Sequence, residues 1–351
     1  MKKFVINSRV LTHGDFNGMP RYIQGILKGL DAKNFEYTLL HPDKKLNIIK
    51  AHLWEQFVLP KRAKNSILWS PANSGPVSVE NQIVTVHDIL HVDRPELHAN
   101  SFLAGELYKF IYPRLFKKCL GIIAVSNYTK TRIIEKYNVP EKKIKVIYEY
   151  AAENFKPCSQ SEIQAAREKY NLTQGKGYIF SIGTLDIKKN LKNLVLAWKI
   201  LEPDFGNDFE LILAGKQHER LTLEKLGLEK LPDGIKFTGF VDDKDLPALY
   251  SGASVFVFPS LYEGFGLPPV EAMACGVPVI ISNATSLPEV CGDGALQVDP
   301  YDPENIADGI KNVLENNSLA DDLRAKGVQR SKFFSWEHEV EEHIEFFRRF
   351  M

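Results

Sequence analysis

The stretch VFVFPSLYEGFGLPPVEAMACGVP, residues 255–278, predicts a strand, a glycine-containing loop and a helix in succession. VFVF is typical of a buried strand, EGFG interrupts it, and VEAMAC indicates a helix of small residues. The loop carries a carboxylate at each end, Glu263 and Glu271, eight positions apart. A helix start offers backbone N–H groups that suit a diphosphate, and Gly264 and Gly266 allow the backbone to approach a ligand closely.

The two glutamates differ in the ligand groups that they can reach. Glu271, near the first turn of the helix, can accept hydrogen bonds from two neighbouring hydroxyls such as a ribose diol, and Glu263 can face a sugar. The alternative is that Glu271 is a solvated helix residue and Glu263 a turn residue. The flanking patterns S-x-x-EGFG-x-P and EAMACG-x-PVI favour a binding site.

This segment resembles the E-x7-E signature of the retaining, nucleotide-sugar-dependent glycosyltransferases of family 4. The resemblance extends from about Gly18 to Trp336 and is densest between Ser181 and Val290. It implies an α/β fold of the GT-B type, with two Rossmann-like, doubly wound parallel-sheet domains that face a cleft. It also implies that three loop residues bind the nucleotide sugar: Phe265, Gly266 and Leu267.

Short strand-like runs alternate with helical patterns in both halves of the chain, which predicts parallel sheets with helices on both faces. Strands are expected at 4–8, 36–40, 66–70, 83–88, 121–126, 144–148, 177–183, 209–215, 235–240, 254–260 and 277–282. Helices are expected at 20–30, 103–119, 128–137, 191–201, 245–253 and 303–317. Together with the resemblance, these patterns predict an N-terminal acceptor-binding domain, residues 1–155, and a nucleotide-sugar-binding domain, residues 156–335, with a linker around Asn154–Thr173.

The tail FSWEHEVEEHIEFFRRF predicts one more helix. Four apolar residues recur at helical spacing and form one face: Trp336, Val340, Ile344 and Phe347. Ser335 can cap the start of the helix. By resemblance, this helix, residues 336–351, crosses back to the N-terminal domain. The alternative is a helix that packs on its own domain alone.

The segment SIGTLDIKKN begins as a strand, turns at Gly183 and reaches Lys188 and Lys189. It is similar to the family's segment in which basic residues meet the donor diphosphate, and Lys189 matches the lysine of that segment. Many relatives carry arginine directly after the glycine, whereas this chain has Thr184, so Lys188 is expected to supply the second positive charge. Cations here would stabilise charge on the leaving diphosphate.

No D-x-D pattern predicts a metal site. Asp242, Asp243 and Asp245 cluster, but they are more typical of an acidic helix start. We therefore expect no metal and no cofactor, with the nucleotide sugar acting as a substrate. Val241, which ends FTGFV, matches the turn whose backbone meets the nucleotide base in the family.

His87 ends the strand-like run IVTVHD, and open α/β sheets bind ligands at that end of their strands. The stretch VHDILHVDRPE resembles the H-D…P-E segment of the family's mannosyltransferases, in which the histidine points at the donor sugar. A lone histidine is otherwise more often structural. Gly18 lies in the loop THGDFNGMPRY, which in the family contacts donor phosphate and acceptor. The alternative is an ordinary strand-to-helix connection.

Net charge is zero overall but divided unevenly, with 23 Lys and Arg against 14 Asp and Glu in residues 1–155. Much of the excess lies in 101–145 and predicts either solvated helix faces or attraction to an anionic membrane that holds a lipid-linked acceptor. Nucleic acid is disfavoured because the basic residues are not interleaved with exposed aromatics. Four scattered cysteines and the lack of a long apolar run predict a cytoplasmic protein, peripheral at most on the inner face of the plasma membrane.

These observations predict a hexosyltransferase that uses Glu263, Lys189 and His87 in catalysis. The expected reaction moves mannose from GDP-mannose to an oligosaccharide or polyprenyl-diphosphate-linked acceptor in bacterial surface polysaccharide synthesis. Alternatives are a UDP-hexose donor and a non-catalytic nucleotide-sugar-binding relative. A glucan phosphorylase would need a pyridoxal-lysine site and a longer chain, and a nicotinamide dehydrogenase would need G-x-G-x-x-G after a first strand, which neither half contains.

Overall fold

The computed structural model describes residues 2–13, 18–97, 102–183, 186–215 and 230–351. The chain forms two compact units, each built around its own parallel sheet. The first consists of Met1–Pro95, Asn100–Glu149 and Ser335–Met351, and the second consists mainly of Tyr150–Phe334.

The first unit contains six strands in the order β2-β1-β3-β4-β5-β6, all parallel. These strands are β1 Lys3–Asn7, β2 Thr38–Leu40, β3 Ser66–Ser70, β4 Gln82–Val86, β5 Gly121–Ala124 and β6 Ile144–Val146. Its helices are Met19–Ala32, Ile48–Leu53, Leu59–Arg62, Leu90–Asp93, Phe102–Lys118, Asn127–Tyr137 and Trp336–Arg348, with a π-helical turn at Trp54–Val58. Strands β3, β4 and β5 are buried on both faces, which explains why their sequences do not alternate strictly between apolar and polar residues.

The second unit contains six parallel strands in the order β12-β11-β10-β7-β8-β9. These strands are β7 Gly177–Ile182, β8 Phe209–Ala214, β9 Ile235–Gly239, β10 Val255–Phe258, β11 Val279–Ser282 and β12 Leu296–Val298. Its helices are Gln160–Lys169, Leu191–Phe205, Leu246–Ser251, Leu267–Ala274, Leu287–Cys291, Pro303–Glu315 and Asn317–Ser331. Short 3-10 turns in the two units lie at Arg9–His13, Pro95–Leu97, Glu141–Lys143, Ile187–Lys189 and Gly292–Gly294.

Each sheet has one position at which the chain reverses the direction in which it adds strands. In the first sheet that position lies between β1 and β3, and in the second it lies between β7 and β10. Open α/β sheets bind ligands outside the carboxyl ends of the strands at such a switch point. The topology therefore directs attention to the residues that follow β7 and β10.

The C-terminal helix Trp336–Arg348 packs on the first unit, as predicted. Ser335 caps its start by accepting a hydrogen bond from the amide of His338 at 3.3 Å. Val340, Ile344 and Phe347 are buried in a cluster shared with strands of the first sheet. The chain therefore returns to its first unit after completing the second.

The buried face of this helix also carries two titratable residues that the apolar pattern did not reveal. His343 Nδ1 lies 2.8 Å from the carbonyl oxygen of Glu339, and His343 Nε2 lies 2.8 Å from the hydroxyl of Tyr22. Burial lowers the pKa of His343 to about 4. Burial, reinforced by Glu149 and Glu342, raises the pKa of Glu339 well above its ordinary value. His343 is therefore neutral at pH 7, and burial favours the uncharged form of Glu339.

Candidate functional site

The ends of β7 and β10 bring a lysine and a glutamate together at the switch point of the second sheet. Lys189 Nζ lies 2.6 Å from Glu263 Oε1, and the two side chains are 14% and 11% exposed. The ammonium also lies 4.6 Å from the ring centroid of Phe258, the last residue of β10. A side-chain carbon at Gly183 would come within 3.2 Å of the Lys189 stem, so glycine is what allows the lysine to lie against the strand end.

The electrostatic environment keeps Glu263 ionised. Burial works against its charge, but Lys189 and Lys188 outweigh burial and hold the pKa of Glu263 below its ordinary value. Burial lowers the pKa of Lys189, and the carboxylate of Glu263 partly opposes that effect. Lys188 therefore lies close enough to stabilise the charge of Glu263, and its predicted role toward the donor diphosphate stays a prediction.

The EGFG loop is held in place by hydroxyl and amide side chains from distant parts of the chain. Ser286 Oγ donates to the carbonyl oxygens of Glu263 and Phe265 at 3.0 and 2.9 Å. Thr285 Oγ1 accepts from the amide of Glu263 at 3.1 Å, and Asn190 Nδ2 donates to the carbonyl of Pro259 at 3.0 Å. Sequence reasoning missed these residues because each acts on a segment 21 to 69 positions away.

Glu271 lies in the helix Leu267–Ala274 with its side chain buried. Its Oε2 accepts a hydrogen bond from the hydroxyl of Tyr250 at 3.1 Å, so it is not the solvated helix residue of the alternative interpretation. Tyr250 is fully buried on a different helix and was not predicted as a site residue.

The start of this helix offers fewer backbone donors than an average helix. Pro268 and Pro269 have no N–H group, so the amides of Gly266 and Leu267 are the donors that the first turn presents. Gly266 has a left-handed backbone with φ of 103°, and a side chain there would collide with Leu287. Glycine is therefore required both by the backbone conformation and by the close packing of the loop.

The other predicted residues of the second unit differ in what they expose. Phe265 is buried with its ring 5.4 Å from that of Phe334, and Val241 is buried after β9, so either could contact a ligand only through its backbone. Leu267 is half-buried. Thr184 lies outside the described residues.

The acidic cluster after β9 is engaged in ion pairs. Asp242 and Asp245 both lie within hydrogen-bonding distance of Lys169 Nζ, and the hydroxyl of Tyr170 donates to Asp245 at 2.8 Å. Asp245 is the residue before the helix Leu246–Ser251, which agrees with the prediction that this cluster starts a helix.

His87 and Gly18 belong to the first unit. His87 follows β4, and both of its ring nitrogens are engaged there: Nδ1 lies 2.8 Å from Glu149 Oε1 and Nε2 lies 2.9 Å from the carbonyl of Pro71. Burial opposes protonation, but Glu149 outweighs it and raises the pKa of His87. Gly18 precedes the first helix with φ of 65°, and no described residue would clash with a side chain there.

A second buried ion pair lies at the switch point of the first sheet and was not predicted. Arg9 Nε, after β1, donates to Glu55 Oε1 at 2.8 Å, and Arg9 Nη2 donates to Ser74 Oγ, after β3, at 2.9 Å. Asn7 Nδ2 also donates to Glu55 at 2.8 Å. Burial opposes ionisation, but Arg9 outweighs it and lowers the pKa of Glu55 to about 2. The sequence does not reveal this cluster because Arg9 lies 46 positions from Glu55 and 65 positions from Ser74.

Two doubly wound parallel sheets, with charged residues gathered at the carboxyl ends of their strands, define the GT-B class that the sequence predicted. Solved structures agree. Sucrose-phosphate synthase from Thermosynechococcus elongatus superimposes with a TM-score of 0.77 and 18% identity over 99% of both chains. WaaG, a glycosyltransferase involved in lipopolysaccharide biosynthesis, superimposes with a TM-score of 0.74 and 14% identity over 98% of this chain and 99% of that one.

The chain belongs to the family 4 glycosyltransferases. The family model described as glycosyl transferases group 1 matches residues 162–330, and the model described as glycosyltransferase family 4 matches residues 69–149. The O-antigen chain mannosyltransferase B of Escherichia coli is 35% identical over 304 residues, which cover 86% of this chain and 76% of that protein. The serotype-specific mannosyltransferase WbdA of Escherichia coli is 31% identical over 77% of this chain, which spans 33% of that longer protein. The predicted enzyme class, a glycosyltransferase, is thereby confirmed.

Proposed function

We propose that this enzyme transfers mannose from GDP-mannose, with retention of anomeric configuration, to a growing bacterial surface polysaccharide. The observation that carries the proposal is the Lys189–Glu263 ion pair at the switch point of the second sheet. The choice of mannose and of O-antigen synthesis is supported by the names of relatives, the O-antigen mannosyltransferases of Escherichia coli and Salmonella typhimurium.

In the proposed donor site, four groups of residues bind four parts of the nucleotide sugar. Glu271, already oriented by Tyr250, accepts hydrogen bonds from the ribose hydroxyls. Lys189 and Lys188, with the amides of Gly266 and Leu267, bind the diphosphate. Glu263 faces the hydroxyls of the sugar. The base lies against the backbone at Val241.

The proposed chemistry uses the leaving group as its own base. The bond from the anomeric carbon to the diphosphate oxygen breaks, and the acceptor hydroxyl forms its bond on the same face. The proton of that hydroxyl passes to the leaving diphosphate. Lys189 and Lys188 stabilise the charge that develops on the diphosphate, so we propose that no metal ion is required.

The acceptor is proposed to bind to the first unit as an oligosaccharide or a polyprenyl-diphosphate-linked glycan. His87 is expected to contribute to catalysis as a cation, because Glu149 favours its protonated form. Its role stays a prediction, since both of its ring nitrogens are already held by residues of the first unit.

A panel of nucleotide sugars tests the proposal. A ligand that binds the folded state raises the melting temperature by mass action, so GDP-mannose should raise it more than UDP-glucose, UDP-galactose or UDP-N-acetylglucosamine. NMR of the product should then show the anomeric configuration of the donor. If only a UDP-hexose raises the melting temperature, the donor is that UDP-hexose and not GDP-mannose. Tight donor binding without transfer or hydrolysis would indicate a non-catalytic relative.

A further inference from the structure

The helical run from Ile48 to Arg62 in the first unit carries an exposed apolar stripe. Ile49, Leu53 and Phe57 recur every four residues and are 72%, 52% and 67% exposed. On its opposite side, Trp54 and Leu59 of the same run are buried in one cluster with Val5 and Leu68 of the sheet. The outer stripe is therefore not needed to hold the run on the first unit.

A second helix adds to this surface. The ring of His52 packs edge-on against that of Tyr108 at 6.4 Å, which joins the run to the helix Phe102–Lys118. The residue after His52 and the residue before Tyr108 are exposed leucines, Leu53 and Leu107. We call the exposed side chains of Ile49, Leu53 and Phe57 the apolar stripe.

The segment around the apolar stripe is strongly basic. Six exposed cations flank it in sequence: Lys44, Lys45, Lys50, Lys61, Arg62 and Lys64. Of the two acidic residues in the same segment, Glu55 is fully buried and paired with Arg9, so Asp43 is the one exposed carboxylate among residues 43–64. An apolar stripe with a cationic rim is typical of a helix that lies at a lipid–water interface.

In the basic region at 101–145, by contrast, most cations contact carboxylates or carbonyl oxygens of the first unit. Lys143 Nζ donates to the carbonyls of Phe116 and Lys117 at 2.7 and 3.0 Å and so caps a helix. Six more of its ten cations also hold carboxylates or carbonyl oxygens of the same unit: Lys109, Arg114, Lys130, Arg132, Lys136 and Lys145. Seven of these ten cations therefore already have partners within the first unit, and we assign the membrane attraction to the segment 43–64 instead.

We propose that the apolar stripe and its cationic rim dock the first unit onto a lipid surface that carries anionic headgroups. The stripe enters the boundary between headgroups and acyl chains, and the lysines bind the headgroups. No helix in the described part of the chain combines the length and hydropathy needed to cross a bilayer. This inference goes beyond the proposed function and does not depend on which donor the enzyme uses.

A second copy of the chain fits this surface less well. A two-fold symmetric contact would place the cationic rim of one copy against the identical rim of the other. Like charges opposed in this way cost affinity, whereas a negatively charged bilayer complements them. The observed charge therefore favours the lipid surface.

Co-sedimentation of the full chain with vesicles tests the proposal. Vesicles of phosphatidylcholine with about one-third phosphatidylglycerol should bind the protein in low salt, and vesicles of phosphatidylcholine alone should bind it far less. The double variant Leu53→Ser/Phe57→Ser should reduce the partition coefficient by roughly tenfold or more, because two large apolar side chains no longer enter the interface. The variant Ile200→Ser removes an equally exposed aliphatic residue from a helix of the second unit and should bind like wild type.

A charge variant separates the two parts of the surface. Lys50→Gln/Lys61→Gln should weaken binding to the anionic vesicles and reduce its dependence on salt, while Lys311→Gln should not. The melting temperature without ligand should be unchanged in every variant, which separates loss of docking from loss of folding.

Three results would overturn the proposal. One is a wild-type protein that does not bind anionic vesicles in low salt, and another is a Leu53→Ser/Phe57→Ser variant that binds them as well as wild type does. Alternatively, sedimentation velocity could reveal a wild-type dimer that this variant abolishes, which would assign the stripe to a second copy of the chain.

Discussion

Each sheet places a buried cation–carboxylate pair at the same topological position, but the two pairs differ in their hydrogen bonds and in the exposure of the carboxylate. In the first unit, Glu55 is fully buried and accepts hydrogen bonds from Asn7, Arg9 and Ser74. In the second unit, Lys189 and Glu263 hold each other and keep 14% and 11% of their side chains exposed. We call the first pair saturated because both oxygens of Glu55 accept hydrogen bonds and its side chain is fully buried, whereas the ammonium of Lys189 has three donors and the carboxylate of Glu263 is partly exposed. The switch point selects the position, and the number of occupied hydrogen-bonding atoms distinguishes a structural pair from a candidate site.

The largest expected effect is on the stability of the first pair. Arg9→Met should leave Glu55 buried without its cation and lower the free energy of unfolding by about 3–5 kcal/mol, measured by urea denaturation. Arg62→Met removes an exposed arginine that pairs with exposed Asp43 and should cost less than about 1 kcal/mol. Equal losses for the two variants would contradict the structural role of the first pair.

The second pair should respond in activity. Lys189→Met should lower the rate of sugar transfer by about 10²–10³-fold, the scale of losing one charge that stabilises a leaving group. Lys192→Met, one turn further along and exposed, is the matched control and should keep wild-type activity. A loss of less than about threefold for Lys189→Met would show that Lys189 does not serve the diphosphate.

The first pair should also make stability depend on acid. Because the pKa of Glu55 is lowered to about 2, its contribution is complete above its unfolded value near 4.5 and is lost as pH falls from there toward 2. The loss should amount to about 3 kcal/mol, since each unit of pKa shift is worth about 1.4 kcal/mol. The free energy of unfolding, measured by denaturant between pH 6 and pH 2, should therefore fall less for Glu55→Gln than for wild type. Glu36→Gln, which changes an exposed glutamate, is the control and should behave like wild type.

Glu271 tests the ribose end of the donor site. Glu271→Gln should weaken binding of GDP by about 1–3 kcal/mol, because the hydroxyls lose a charged acceptor. Tyr250→Phe removes the hydrogen bond that orients Glu271 and should have a smaller effect, about 0.5–1.5 kcal/mol. Calorimetric affinities that match wild type for both variants would remove Glu271 from the site.

The smallest expected effect is that of metal removal. If lysines and backbone amides stabilise the leaving diphosphate, transfer should continue in excess EDTA at the rate seen before chelation. Loss of activity that added Mg²⁺ restores would assign this part of the chemistry to a metal ion.

The fold was largely predictable because most strands are apolar runs bounded by glycine, proline or polar residues. Strand β12, Leu296–Val298, was missed because it has three residues and only one of them is buried. The helix Asn317–Ser331 was missed because its buried face is built from small residues such as Ala320 and Gly327 and shows no apolar periodicity.

The candidate site divides in the same way between local and distant information. Glu263, Glu271 and Lys189 lie in segments whose local spacing is distinctive. Their supports come from far along the chain: Ser286 holds the EGFG loop and Tyr250 orients Glu271. Glu149, which pairs with His87, lies 62 positions further along the chain, so its role emerges only from the structure.

Hydrogen–deuterium exchange with and without GDP tests the central claim most directly. The claim is that the carboxyl ends of β7 and β10 form the nucleotide site while the saturated pair of the first unit does not. Binding should slow exchange in residues 186–190 and 263–274. Exchange around Arg9 and Glu55 should be unchanged. Protection around Arg9 and Glu55, with none in 263–274, would contradict the claim.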